Sequence, residues 1–408
     1  MEVFDGESEL VLLVRKLLAI VLLVLSSCLL WYSICTYKIY GHLSLGEFSA
    51  QFFPKARISE GNSRYLALDY PGAAEFYRKA VFSSPCFLDA WIGLVRTFIA
   101  EGKLDESRKI LKIIAPTLTS ISTWKWQELL IAYDLSDEHY FEQSLNYILS
   151  YLPNRLKDAC IEASRFWGDW EVVIPHILPC NRQPFLNILV DQKQPEAAFA
   201  LFKIIENDGP RLKEEDQLQL CDFLISSDRL KEAKTVWRHL RKVDAPLIDD
   251  GSFEKAPLNT AFGWRFRDNP DVLLERETGS SCSGSSCLHV HFKGATNVGC
   301  DLVHQVVPVK PDTSYCLSFL RRSSNLTTDS GVFLAVKGFN RDKPSVASEP
   351  VLGNSPWKEE KIEFTAPAGC EAVVLYVRRN ESLKMDNKIS GDYWLCSLQL
   401  RALGSPAE

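Results

Sequence analysis

The spacing of apolar residues changes twice along the chain. Residues 17–37 form an uncharged apolar run, and residues 57–243 repeat apolar positions every three or four residues, as one face of an α-helix requires. From residue 247 onward, apolar and polar side chains alternate in short runs, which is the period of a half-buried β-strand. The pattern predicts a multidomain protein with a transmembrane helix, an all-α region and a C-terminal all-β region.

The apolar run has the length of a membrane span. About 21 residues at roughly 1.5 Å per residue cover the ~30 Å hydrocarbon core of a bilayer. Arg15 and Lys16 directly precede the run, so the positive-inside rule keeps the N-terminus in the cytoplasm and places the rest of the chain across the membrane. The predicted segments are a cytoplasmic tail at 1–16, a transmembrane anchor at 17–37 and a linker at 38–56. Two alternatives stay open, a lipoprotein signal processed at Cys28 and a buried helix of a soluble domain.

Residues 57–243 contain helix pairs with a recurring period. Trp91, Leu94 and Phe98 line one helical face, and Ser107 follows Ala73 by 34 residues at the same station. Small residues at such stations let two helix axes approach within about 8–10 Å. These motifs resemble the tetratricopeptide repeat family, and the resemblance implies about six helix pairs whose concave surface binds proteins. The pairs in the middle of the region, such as "RFWGDWEVVIPHILP", depart furthest from the consensus.

Residues 247–402 carry the strand pattern. The segments "CLHVHFKG", "TSYCLSFLRRS" and "EAVVLYVRR" alternate, and several such strands separated by turn residues predict a two-sheet sandwich. Their order between "GWRF" and "GDYWLCSLQL" resembles the jelly-roll carbohydrate-binding modules of the galactose-binding-like superfamily. The resemblance implies that Phe253 and Trp264 help close the core and that Trp394 lies in the last strand. This chain has Cys396 where the family often has an Asp near a structural calcium, so no metal is expected.

A sugar-binding surface needs aromatic faces for the apolar side of the ring and hydrogen-bond donors for the hydroxyl groups. On the strand faces opposite the predicted core, the alternation offers residues of both kinds, and their three cations would suit an acidic polysaccharide. The candidate glycan-binding residues are Arg322, Phe333, Lys337, Tyr376 and Arg378. The alternative interpretation of the same residues is an ordinary solvated sheet face.

Six cysteines follow residue 247, an even number that could pair outside the cytosol. Cys282 and Cys287 enclose "SGSS" and are the candidate local disulfide. The pairing of the other four stays open, and none of the spacings is typical of a metal site.

Composition and motifs narrow the function classes. Apolar residues make up 46% of the chain, and the formal net charge of -6 comes without a long basic run, so nucleic acid is not an expected partner. The chain has no Gly-x-Ser-x-Gly, no phosphate-binding Gly-rich loop and no His-Glu-x-x-His motif, so we predict neither enzymatic activity nor a cofactor.

These features together suggest a hypothesis for the whole protein. The combination of anchor, helical repeats and β-module resembles tetratricopeptide proteins associated with bacterial exopolysaccharide or O-antigen machinery. The resemblance implies a single-pass protein of the inner (plasma) membrane whose bulk is periplasmic. It would act as a scaffold for polysaccharide synthesis or export, with protein partners on the repeats and a glycan on the β-domain. The alternatives are a pure protein-interaction scaffold and an unrecognised glycosidase, since glycosidases can use carboxylates far apart in sequence.

Overall fold

The computed structural model describes residues 5–40, 53–118, 122–208, 212–241, 247–279, 286–385 and 387–403. The chain divides into two compact units, Met1–Asn181 and Arg182–Glu408. The first unit is helical, and the second contains the last helices together with the β-strands.

The N-terminal helix α1, Asp5–Tyr40, contains the predicted apolar run. Within the described residues, Leu13–Tyr32 is the one stretch long and apolar enough to cross a membrane, and its side chains are not buried by the rest of the protein. A signal sequence near an N-terminus has the same properties. The structure thus supports a candidate membrane span here and leaves its orientation as a prediction.

Twelve further α-helices follow in the described part of the chain, and neighbours pack in pairs. In the first unit they are α2 (Pro54–Leu66), α3 (Tyr70–Ser83), α4 (Leu88–Ala100), α5 (Leu104–Leu118), α6 (Ser122–Asp134), α7 (Glu138–Tyr151), α8 (Leu156–Trp167) and α9 (Trp170–Val173). In the second unit they are α10 (Arg182–Asp191), α11 (Pro195–Asp208), α12 (Glu214–Ser226) and α13 (Leu230–Arg241). These six pairs match the predicted number and fit a helical repeat. Assignment to the tetratricopeptide family stays a prediction.

The turn inside each of the first three pairs repeats every 34 residues. Leu68, Gly102 and Ser136 all have left-handed backbone conformations, with φ of 62°, 76° and 52°. After each of them, the next backbone N–H donates back to a carbonyl five residues earlier, which closes a helix C-terminus in the Schellman manner. Only Gly102 belongs to the residue type that adopts this conformation without strain. The 34-residue period therefore appears in the backbone conformation of the turns as well as in the positions of the small side chains.

The predicted small-residue stations are buried at the helix crossings. Ala73, Ser107 and Ser144 have no exposed surface, and neither has Ala233 in the second unit. The middle of the array is irregular because α9 spans only four residues and passes into a short 3-10 helix that contains Pro175. Proline lacks the N–H that a continuing helix needs.

The β-domain is a sandwich of two five-stranded antiparallel sheets within the described residues. Its strands are β1 (Arg265–Phe266), β2 (Val272–Glu277), β3 (Cys287–Lys293), β4 (Cys300–Pro308), β5 (Thr313–Leu326), β6 (Val332–Gly338), β7 (Ser345–Ala347), β8 (Gly353–Ala366), β9 (Ala372–Arg379) and β10 (Ser390–Ala402). Sheet A has the order β1-β4-β9-β6-β7, and sheet B has the order β2-β3-β10-β5-β8. From β3 to β6 successive strands alternate between the sheets, as in a jelly roll, and the predicted sandwich is confirmed.

The core of the sandwich lies between the two sheets and is built from the alternating apolar positions. Phe253 and Trp264 belong to it, with ring centroids 5.0 Å apart and almost no exposure, so their predicted structural role is confirmed. Trp394 lies in the last strand as predicted, but its side chain is only half-buried and lies outside this core.

Helices α12 and α13 contact sheet A within the second unit. The Lys234 ammonium on α13 donates to the carbonyls of Val309 and Glu371 at 3.1 and 2.7 Å. Asp222 on α12 pairs with Arg265 on β1. The compact unit therefore begins before the predicted change of domain, whose residues 242–246 lie outside the described part.

Candidate functional site

The outer face of sheet A carries four of the five predicted glycan-binding residues. On β9, Val373, Leu375 and Val377 point into the core, so Tyr376 and Arg378 point away from it. The same alternation on β6 directs Phe333 and Lys337 outward. All four are half-buried, which leaves part of each side chain in contact with solvent.

The strand register brings these residues together. Phe333 lies directly opposite Arg378, and the guanidinium carbon of Arg378 is 6.0 Å from the centre of the Phe333 ring. On the same face, the next outward pair along these two strands is Ala335 with Tyr376. The pair after that is Lys337 with Val374. The result is a short row of two aromatic rings and two cations.

Strand β4 adds residues that the alternation did not identify. His304 lies opposite Tyr376, and their rings stack with centroids 5.8 Å apart and planes inclined by 23°. Asp301 lies opposite Arg378, and its carboxylate is 3.1 Å from Nε of that arginine. A register shift between Asp301 and Val303 breaks the period of two at the start of this strand, so Asp301 and His304 share a face although they are three residues apart.

Charges from β1 and the following residues extend the face. Arg265 lies opposite His304 and pairs with Asp222, whereas Arg267 is exposed. Burial first, and then the positive charges of Arg265 and Arg267, lower the pKa of His304. Burial also raises the pKa of Tyr376, against the effect of the nearby arginines. At neutral pH the face therefore presents a neutral imidazole and a neutral phenol between charged groups.

The helices of the second unit approach one end of this face. Val306 and Val374 lie opposite each other on the outward side, next to His304 and Tyr376, yet each is only 5% exposed. Lys234 on α13 reaches the carbonyls that directly follow β4 and precede β9. The part of the face left to solvent is therefore the end that carries Tyr376 and Arg378.

Arg322 does not belong to this face, and the prediction that it shares a surface with the other four is wrong. It lies on β5 in sheet B, opposite Trp394. Its guanidinium carbon is 4.9 Å from the centre of the Trp394 ring, and His289 stacks on the same ring from the other neighbouring strand with centroids 4.8 Å apart. Both neighbours occupy ring surface that a sugar would need. Alternation gives the side of a strand but does not tell which of two sheets the strand joins.

The structure describes only one of the two cysteines of the predicted local disulfide. Cys282 lies outside the described residues, whereas Cys287 begins β3 and is buried. Among the residues that the structure describes, no three His, Cys, Asp or Glu side chains are arranged to hold a metal ion.

The first unit offers a separate groove of about 940 Å³ along α2, α4 and α6. Its lining combines aromatic side chains, including Tyr65 and Trp124, with polar groups such as Asn62 and Arg96. Tyr77 fixes the floor: its hydroxyl donates to Asn62 Oδ1 at 2.6 Å, and its ring lies so close to Gly93 that an added Cβ would be 2.5 Å away. The groove is thus formed by the first helices of successive pairs, where a repeat protein exposes its inner surface.

Comparisons with solved structures concern the C-terminal β part of the chain. A carbohydrate-binding module of family 4 is 13% identical over 38% of this chain and 99% of that chain, with a TM-score of 0.28. A second module of family 16 is 18% identical over 38% of this chain and 99% of that chain, with a TM-score of 0.26. A xylan-binding domain of family 22 is 13% identical over 40% of this chain and all of that chain, with a TM-score of 0.27. No protein-family model and no curated protein matches the chain.

Proposed function

We propose that the β-sandwich binds a glycan on the outer face of sheet A. The observation that carries this proposal is the contiguous surface of Phe333, Tyr376, His304 and Arg378, in which rings and hydrogen-bond donors alternate across three neighbouring strands. Aromatic rings pack against the apolar face of a sugar, and planar or charged donors bind its hydroxyl groups. The half-buried setting of these side chains limits the rotamer entropy that binding would otherwise remove.

The charges of the face favour an acidic polysaccharide. Arg378 and Arg265 each lie beside a carboxylate, of Asp301 and Asp222 respectively, so their charges are largely balanced. Arg267 is exposed and Lys337 is half-buried, and neither forms one of the ion pairs found among the described residues, so these two side chains supply the net positive charge. Acidic sugars would therefore gain from two cations at the rim of an aromatic surface.

The first experiment measures binding of the full-length protein in detergent to acidic and neutral polysaccharides. Replacing both rings, with Phe333→Ala and Tyr376→Ala, should weaken binding at least about tenfold, because ring contacts contribute roughly 1 kcal/mol each. Arg322→Ala is the matched control, since it removes a cation from the other sheet and should leave binding unchanged. Equal binding by the double variant and the wild type would rule out this face.

A second arm tests the choice of polymer. Lys337→Ala should reduce binding of an acidic polymer more than that of a neutral one, and the difference should shrink as salt screens the charges. A neutral polymer that binds as tightly, with no salt dependence, would retain the site but refute the acidic ligand.

For the whole protein we propose a membrane-anchored, extracytoplasmic scaffold in cell-surface polysaccharide synthesis or export, without a catalytic step of its own. The anchor would hold the chain at the membrane, the helical region would bind synthesis or export proteins, and the β-sandwich would contact the glycan. The uncharged run that directly follows Arg15 and Lys16 in α1 supports this orientation.

Native cysteines offer a direct test of that orientation. Cys86 and Cys180 are exposed thiols in the first unit. A thiol reagent that cannot cross membranes should label both in spheroplasts with an intact inner membrane. Labelling that requires membrane lysis would place the unit in the cytoplasm and refute the proposed topology.

The second candidate function is a scaffold whose β-sandwich binds no glycan. The groove of the first unit favours it, because a mixed aromatic and polar surface of this size suits an extended peptide. Arg96→Glu would reverse a charge in the groove without touching the sandwich. Loss of protein partners in this variant, together with no binding of any polysaccharide by the wild type, would favour the pure scaffold.

A further inference from the structure

Cys287 and Cys396 lie side by side on sheet B. The antiparallel register of β3 and β10 places Leu288 opposite Leu395, so the next rung of this ladder is formed by the two cysteines. The thiols are hydrogen-bonded to each other, and both residues have no exposed surface. Their side chains lie outside the apolar core between the sheets, on the side of the strands that also carries Trp394.

We propose that Cys287 and Cys396 form a disulfide that joins β3 to the last strand. Facing residues of an antiparallel pair have Cα atoms about 4.5–5.5 Å apart, which lies inside the range of about 4.4–6.8 Å that a disulfide spans. The two thiols already contact each other, as a disulfide between facing residues requires. No comparable contact between thiols is present elsewhere in the described residues: Cys160 and Cys221 are buried separately, and burial raises the pKa of both thiols.

The chemistry requires a thiol-disulfide oxidant, such as oxidised glutathione or a thiol-disulfide oxidoreductase. Because both thiols are buried once β3 and β10 have paired, the exchange takes place before the sheet closes around them or when it opens locally. The Cys287 thiolate attacks the oxidant disulfide and releases its first thiol. The Cys396 thiolate then attacks the mixed disulfide at the Cys287 sulfur and releases the second thiol. Two electrons pass to the oxidant, and the two protons end on the released thiols. In the folded sheet the contact from Cys396 lowers the pKa of the Cys287 thiol against the effect of burial.

This pairing competes with the local one predicted from the sequence. If Cys287 bonds to Cys396, it cannot bond to Cys282 five residues earlier. The cross-strand bond would close a loop of roughly 110 residues, and in the chain-entropy model a loop of that size lowers the unfolding constant by about 10³-fold. A Cys282–Cys287 bond would close only a short loop and have a much smaller effect.

The test uses full-length protein in detergent, reduced in denaturant and then refolded in glutathione buffers of increasing oxidising strength, because both thiols are buried in the folded protein. Remaining thiols are alkylated, and disulfide-linked peptides are identified by mass spectrometry. The expected product joins the Cys287 and Cys396 peptides. A product that joins Cys287 to Cys282, or two thiols that remain alkylated in the most oxidising buffer, would overturn the proposal. The result does not depend on where in the cell the protein resides.

Three variants separate the bond from a packing effect. Cys287→Ser and Cys396→Ser should each abolish most of the difference in unfolding between oxidised and reduced protein, and combining them should change nothing further. Cys282→Ser should retain the full difference. If Cys282→Ser abolishes it instead, the local pairing is the real one.

Discussion

The same substitution at the two adjacent arginines of β9 should destabilise the protein to very different extents. Arg378 points to the outer face, where its side chain is 26% exposed and pairs with Asp301. Arg379 points inward and is 1% exposed. Its guanidinium donates to Ser330 O at 2.8 Å, Thr328 Oγ1 at 2.9 Å, Asn297 Oδ1 at 3.2 Å, Asn387 O at 3.4 Å and Val298 O.

The magnitude follows from these acceptors. Arg379→Met removes the donor to five oxygen atoms. The bond to Val298 O is fully buried, whereas Thr328 Oγ1 and Asn297 Oδ1 each keep a backbone N–H donor. Removing one member of a buried charged network costs about 3–5 kcal/mol, so we expect about 4 kcal/mol. Arg378→Met removes one partly exposed ion pair and should cost at most about 1 kcal/mol. Burial lowers the pKa of Arg379, and the nearby carboxylates of Asp329 and Glu381 oppose this effect.

Hydrogen exchange of the full-length protein in detergent measures both effects in the second unit. Amides of β9 should exchange about 10³-fold faster in Arg379→Met and at most several-fold faster in Arg378→Met. Glycan binding should follow the reverse order wherever the fold persists, because only Arg378 lies on the proposed binding face. An Arg379→Met protein with wild-type exchange would refute the assignment of these hydrogen bonds to stability.

Three smaller perturbations test other parts of the structure. Gly102→Ala should destabilise the first unit by about 1 kcal/mol, because alanine is strained at φ of 76° although its Cβ would meet no atom, and thermal unfolding with exchange of α4 would detect it. Lys234→Met should cost about 2–3 kcal/mol by removing the donor to two carbonyls, whereas Lys231→Met, at an 81% exposed site, should change exchange of β9 little. The lowered pKa of His304 means that its neutral form is favoured in the folded state, so stability is complete above the unfolded pKa of about 6.5 and falls with pH toward the folded pKa. His304→Gln should make the midpoint of denaturant unfolding depend less on pH below about 6.5, and an unchanged pH dependence would contradict the role of this imidazole.

The change of period along the sequence is enough to predict the two kinds of secondary structure. A period of 34 residues identifies the helix pairs because each pair must bury the same small residue at its crossing, as Ala73 and Ser107 do. The turns are harder to predict, since Leu68 and Ser136 adopt a backbone conformation that their residue types disfavour. There the tertiary packing of the helix pair determines the backbone, and the local sequence carries no sign of it.

The sequence predicts which residues of a single strand face outward, but it does not predict which strands lie next to each other in a sheet. Alternation placed Phe333, Lys337, Tyr376 and Arg378 on outward faces, because inward positions must be apolar. It could not exclude Arg322, since the sheet that a strand joins depends on long-range pairing. It also missed His304, because the outward Val306 is apolar and buried, so that β4 carries apolar residues on both of its sides.

The position of the boundary between helices and strands determines which fragment of this protein is suitable for a binding experiment. The sequence places it near residue 247 because the period changes there, and a period reports only local backbone geometry. The last helices pack across that point. The half-buried Lys234 ammonium donates to two carbonyls of the sandwich, and Trp237 on α13 packs edge-on against Phe262 with ring centroids 5.8 Å apart. A fragment that starts at residue 247 would expose the buried Phe262 and leave those carbonyls beside the candidate face without their donor. Loss of glycan binding in such a fragment would therefore report a damaged sheet edge, and only the chain with α12 and α13 in place can test the face itself.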